Sequence, residues 1–117
     1  MPPMFEIDHD SAVPLGEQVR RAVRRAIAEG ALRKGDPLPP VRKLASKTGV
    51  NLNTVARAYR MLEEEGLVET VRGRGTSVRS ERQKRKVTRR EIQDQARDLL
   101  ADAVLGGLAK KDVRALL

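Results

Sequence analysis

The chain has 117 residues, no cysteine, one histidine and two aromatic residues, Phe5 and Tyr59. That inventory excludes disulfide frameworks, zinc fingers and thiol catalysis, and it leaves an aliphatic core for one modest domain with at most a short appendage. The formal net charge is +8, and all of it lies between Arg72 and Arg90, where nine basic residues accompany one acid, Glu81, while the other 98 residues hold 15 basic and 15 acidic groups.

Residues Phe5 to Asp8 are expected to form a short extended stretch, and Pro14 to stand in the first turn of a helix. Leu15, Val19, Ala22, Val23, Ala26 and Ile27 then recur at helical spacing, with Arg20, Arg21, Arg24 and Arg25 on the other faces, until Gly30 stops the helix. Gly35 to Pro40 carries three prolines and a Gly-Asp pair, which predicts a tight extended connection. Val41, Leu44, Ala45 and Thr48 describe a short amphipathic helix ending at Gly49. Asn51 is a good N-cap for the next helix, whose buried face is Val55, Ala58, Tyr59 and Leu62 and whose stop is Gly66. Two helices joined by a short glycine-containing turn make a helix-turn-helix. Leu67 to Val71 and Thr76 to Val78 alternate apolar and polar residues around Arg72-Gly73-Arg74-Gly75, which predicts a β-hairpin with two arginines at its tip.

From Ser80 to Lys86 nothing is apolar, so this stretch reads as a linker. Thr88 and Glu91 form a capping box. Ile92, Ala96, Leu99 and Ala103, widened by Leu100 and Val104, lay an apolar stripe along the following helix. Gly106-Gly107 breaks it, and Leu108, Val113, Leu116 and Leu117 allow a short terminal helix. The expected architecture is α+β: a winged helix-turn-helix of three helices and a hairpin over residues 1–79, a basic linker over 80–87 and a helical dimerisation extension over 88–117. The stripe of Ile92, Ala96, Leu99, Leu100, Ala103 and Val104 needs a covering surface, either a partner subunit or the chain's own first helix through Leu15, Val19 and Val23.

The dense basic patch needs a polyanion or open solvent, and double-stranded DNA is the leading expected partner. Asn53, Thr54 and Arg57 lie away from the buried face of the second helix of the turn pair, with Asn51 at its start. Asparagine bonds adenine bidentately, arginine bonds guanine, and threonine serves phosphates or thymine methyls. Arg42, on the preceding helix, stands at the groove's edge or pairs with a carboxylate. Arg72, Gly73 and Arg74 suit minor-groove insertion, because glycine permits close backbone approach and arginine is drawn to the negative potential of a narrow groove.

His9, between Asp8 and Asp10, reads as a solvated cap rather than a metal ligand, so no metal, cofactor or enzyme activity is expected. No window approaches the about 20 apolar residues of a membrane span, and the acidic N-terminus lacks a signal-peptide layout, so no membrane partner and a cytoplasmic location are expected.

These segments resemble the DNA-binding domain of the GntR family of bacterial transcription regulators, in particular its short YtrA-like branch. The resemblance rests on Pro14-Leu15 with Gln18-Val19, Gly30-Ala31-Leu32, Lys34-Gly35-Asp36-Pro37-Leu38-Pro39, Val41-Arg42-Lys43-Leu44-Ala45, Gly49-Val50-Asn51-Leu52-Asn53-Thr54-Val55, Arg57-Ala58-Tyr59, Glu65-Gly66-Leu67-Val68 and Arg72-Gly73-Arg74-Gly75-Thr76. It implies that Arg42, Asn53, Thr54 and Arg57 face an operator from the helix-turn-helix and that Arg72 and Gly73 do so from the wing. It also implies a homodimer held by the C-terminal helices, in keeping with the 38 residues that follow Arg79. Two departures stand out: Pro40 replaces a usual serine or alanine, and Gly16 replaces a usual tyrosine. The competing reading is a winged helix that contacts protein or RNA with the basic stretch as an electrostatic clamp; an enzyme fragment would lack an acid-base pair.

Overall fold

The computed structural model describes residues 5–80 and 87–116. Six of the expected linker residues, 81–86, lie outside that range. The chain divides into two compact units, Met1–Gln83 and Lys84–Leu117.

The first unit is a winged helix. Helices α1 (Leu15–Ala28), α2 (Val41–Thr48) and α3 (Leu52–Glu64) precede strands β1 (Val68–Val71) and β2 (Gly75–Val78). The buried face of α1, Val19, Ala22, Val23, Ala26 and Ile27, packs on that of α3, Val55, Ala58, Tyr59 and Leu62, as the 3.6-residue period of each stripe requires. The short α2 contributes Leu44, fully buried, with Val41 and Ala45 partly buried against the core. Phe5, Leu32, Leu38, Val50, Val68 and Val78 close the core from the loops and the hairpin.

The strands pair antiparallel in the register Val68 with Val78 through Val71 with Gly75. Both Gly73 and Gly75 adopt positive φ, 84° and 79°, where an L side chain would be strained. The three-residue turn between the strands is closed by the Arg74 N–H donating to the Val71 carbonyl at 2.9 Å.

Three local differences from the sequence reading have simple causes. Pro14 and Pro40 each stand at the N-cap, one position earlier than a first helical turn, with ψ of 143° and 145°. Their carbonyls accept the first helical bonds, from Gln18 and Leu44, at 3.0 Å each. The proline-rich connection is a third edge of the wing: Pro37 bridges Ser77, Gly35 and Leu38 donate to Val78 and Thr76, and Val78 donates to Asp36. Proline is tolerated there because an edge residue can turn its missing donor away from the ladder. Finally, Phe5 to Asp8 forms no strand; Phe5 is buried in the core instead.

The second unit holds α4 (Arg89–Leu105) and α5 (Lys110–Leu116). The capping box is complete: the Thr88 hydroxyl accepts from the Glu91 N–H at 3.1 Å, and the Glu91 carboxylate accepts from the Thr88 N–H at 2.8 Å. After α4 the chain turns at Gly107, φ 101°, and α5 packs on α4. Val113 is the buried side chain of this unit among the described residues, and none of α4 is buried.

Candidate nucleic-acid interface

The helix-turn-helix is held by bonds at each of its corners. Gly49 ends α2 in the left-handed conformation, φ 72°, with its N–H on the Ala45 carbonyl. Val50 fills the turn as a buried anchor. The Asn51 Oδ1 accepts the Asn53 N–H at 2.8 Å, capping α3. At the other end of α2, the Tyr59 hydroxyl donates to the Pro39 carbonyl at 2.6 Å, tying α3 to the entrance of α2; burial pushes the pKa of that hydroxyl up.

The N-terminal segment is fastened to the same unit. The Gln18 amide spans it, accepting from the Asp8 N–H and donating to the Asp8 and Val13 carbonyls, all at 2.9 Å. His9 is exposed and caps α2. Its Nε2 lies 2.7 Å from the Thr48 carbonyl, an acceptor only, so Nε2 carries the hydrogen and caps the C-terminus of α2.

Arg42, Asn51, Asn53 and Arg57 are exposed, as are Arg72, Gly73 and Arg74 at the wing tip. Asn53 and Arg57 are four residues apart and share the face of α3 opposite its buried stripe. Arg60, also exposed, continues that face; the sequence reading missed it, although its place seven residues after Asn53 is the signal. Thr54 differs from its neighbours. It is half-buried, and a Cβ added at Gly16 would meet its methyl at 3.1 Å. The absence of a side chain at Gly16 thus lets the start of α1 approach the first turn of α3 closely. Asn51 has one oxygen engaged in capping and keeps its amide donors.

The arginines fall into two electrical classes. On α1, Arg20 donates through Nε to Glu17 at 2.9 Å, Arg21 donates to Glu17 at 3.0 Å, and Arg20 and Arg24 both reach Glu65 at the end of α3, at 2.7 and 2.8 Å. The hydrogen bond from Arg20, with help from Arg21, holds the Glu17 carboxyl at about 2 against a partial desolvation that works the other way. Arg20 is raised in turn, chiefly by Glu17. By contrast, Arg42, Arg57, Arg72 and Arg74 make no ion pair among the described residues. Their charge is available to an external anion.

A helix-turn-helix with a free polar face, followed by an arginine-tipped hairpin, defines a winged-helix DNA-binding protein. The chain belongs to the GntR family, in its YtrA-like branch: the profile of the bacterial regulatory proteins of the gntR family matches residues 15–78. It is 39% identical over 108 residues to the HTH-type transcriptional repressor YtrA of Bacillus subtilis, a match covering 90% of this chain and 82% of that protein. Among solved structures, it is similar to a transcriptional antiterminator from Listeria monocytogenes, with a TM-score of 0.74 and 29% identity over 96% of this chain and 85% of that one. It is also similar to YtrA from Sulfolobus acidocaldarius, described as a GntR-family transcription factor, with a TM-score of 0.61 and 33% identity over 91% and 86% of the two chains. The protein is thus a DNA-binding transcription regulator. No helix among the described residues is long and apolar enough to cross a membrane.

Proposed function

We propose that the protein is a homodimeric repressor that binds a palindromic operator, with α3 in the major groove and the wing in the minor groove. The single observation that carries this reading is the contrast in ion pairing. Arg20, Arg21 and Arg24 of α1 are spent on Glu17 and Glu65, whereas Arg42, Arg57, Arg72 and Arg74 have no acidic partner among the described residues. A contact surface for protein would gain little from four unpaired cations; a phosphate backbone attracts them all.

In this reading Asn53 and Arg57 read base edges, and Arg42 and the Asn51 amide contact the backbone or an edge base. Thr54, held against Gly16, contributes its hydroxyl at the groove's rim, and Arg72, Gly73 and Arg74 enter the minor groove. Residues 1–79 form the DNA-binding domain, 80–87 a basic linker and 88–117 the dimerisation region, acting in the cytoplasm. The repressor assignment is supported by the likeness to the Bacillus subtilis transcriptional repressor YtrA.

The test is a gel shift on duplexes selected from random sequence by the protein itself, with unrelated DNA as competitor. Selection should converge on an inverted repeat. Convergence on a single unrepeated site, or none, would overturn the dimeric operator reading.

A further inference from the structure

The first unit holds a groove of about 460 Å³ between α2, the proline-rich segment and the start of β2 at the wing tip. Phe5, Leu32 and Leu38 face it with the rings of Pro37, Pro39 and Pro40, while Lys43, Lys47 and Arg74 stand around it. This volume lies within the range of small-molecule sites, which combine an apolar body with a few convergent polar groups. All three polar groups here are cations, and none of them is ion-paired among the described residues. No carboxylate lines the groove. Asp36, the acid next to it in sequence, has its Oδ2 on the Arg33 N–H at 2.8 Å.

We propose that this groove binds an amphipathic organic anion, with an apolar body of about ten carbons on the proline and leucine surface and its head group among Lys43, Lys47 and Arg74. Charge alone would suit a DNA phosphate, but a phosphate gains nothing from an apolar floor; an organic acid uses both halves of the site. Arg74 belongs to the groove and to the wing tip. If the wing reading given above holds, ligand and DNA therefore compete for one side chain, and the ligand releases the protein from DNA.

The test uses the full chain, uniformly labelled with nitrogen-15, titrated below micelle concentrations with decanoate, decyl phosphate, decanol and inorganic phosphate. Decanoate or decyl phosphate should saturate and shift the amides of Leu38, Lys43, Lys47 and Gly75, and which of the two binds tighter reports the head group. Decanol and inorganic phosphate should bind at least about tenfold more weakly, as should the K43Q/K47Q double variant, whose exposed substitutions leave the spectrum folded. Equal binding of decanol or of inorganic phosphate, shifts confined to α4 and α5, or no saturation would overturn the site. Fluorescence polarisation with a selected duplex then reads competition: decanoate should weaken DNA binding by the native chain and not by K43Q/K47Q. Undiminished DNA affinity with the groove saturated would overturn the competition. Failure to select any duplex would instead strike the regulator reading, while the amide shifts still report the groove.

Discussion

Asn53 and Arg57 are one helical turn apart on the open face of α3, and neither supports the core. Asn53→Ala and Arg57→Ala should therefore leave folding intact while each removes about 1 to 3 kcal/mol of discrimination between selected and random duplex, measured as the ratio of the two dissociation constants. An unchanged ratio would remove that residue from the list of base readers. Both were legible in the sequence because their phase is set by the apolar stripe behind them. Thr54 was legible only as a polar residue near the same face; that its methyl meets the start of α1 depends on Gly16, 38 positions away, and no local period reports it. The ion-pair cluster of α1 shows the same limit. Glu17 meets Arg20 and Arg21 at local helical spacing, but the hold of Arg20 and Arg24 on Glu65 joins residues 45 and 41 positions apart. Because the fold keeps Glu17 ionised down to about 2 against an ordinary 4.5, its stabilisation is complete above the ordinary value and is lost as pH falls between those two values. With a quarter of its side chain open to water, Glu17→Gln should destabilise by on the order of 1 kcal/mol at neutral pH. In urea melts that difference should vanish as the pH approaches 2; a pH-independent difference would mean that the carboxylate charge is not what stabilises.

At the scale of elements, the helices and the hairpin were readable because each carries its own repeat and its own stop, such as the left-handed Gly49 and the paired glycines of the wing. The segment from Gly35 to Leu38 was not. Its prolines argue against a strand, yet its free donors and acceptors complete the outer edge of β2, a pairing visible only once the hairpin is built. That third edge matters for the wing, since it anchors the base of a hairpin whose tip is only three residues long. A fixed base makes the tip arginines a preorganised pair. If a dimer neutralises about 8 phosphates, log affinity should fall with log salt at a slope near −7. Arg72→Ala or Arg74→Ala, present twice in the dimer, should flatten that slope by about 2 if each arginine meets one phosphate, without changing the preferred sequence at α3. A native slope near zero would place the basic tip away from the DNA backbone.

For the whole molecule, the question is what covers α4. Ile92 is 52% exposed, Leu99 51% and Val104 40% within the single chain, and no side chain of the helix is buried. The other cover expected from the sequence is α1 through Leu15, Val19 and Val23. Val19 and Val23 are fully buried within the core that α1 shares with α3, and Leu15 is partly buried against it. In the proposed homodimer the apolar stripe of α4, a helix of 17 residues and about 26 Å at roughly 1.5 Å per residue, packs against a second copy. Two-fold pairing suits a regulator, because an isologous interface presents two reading heads with the symmetry of a palindrome, and binding of the first head raises the effective concentration of the second. Leu99→Glu with Ala103→Glu puts two carboxylates into the stripe of each protomer, hence four into the pair, while removing nothing from the core of the winged helix. The variant should sediment as a folded monomer, keep its winged-helix amide spectrum and bind the selected duplex more weakly by about two orders of magnitude. A native chain that is monomeric at tens of micromolar and binds a single half-site as tightly as the full repeat would overturn the dimer.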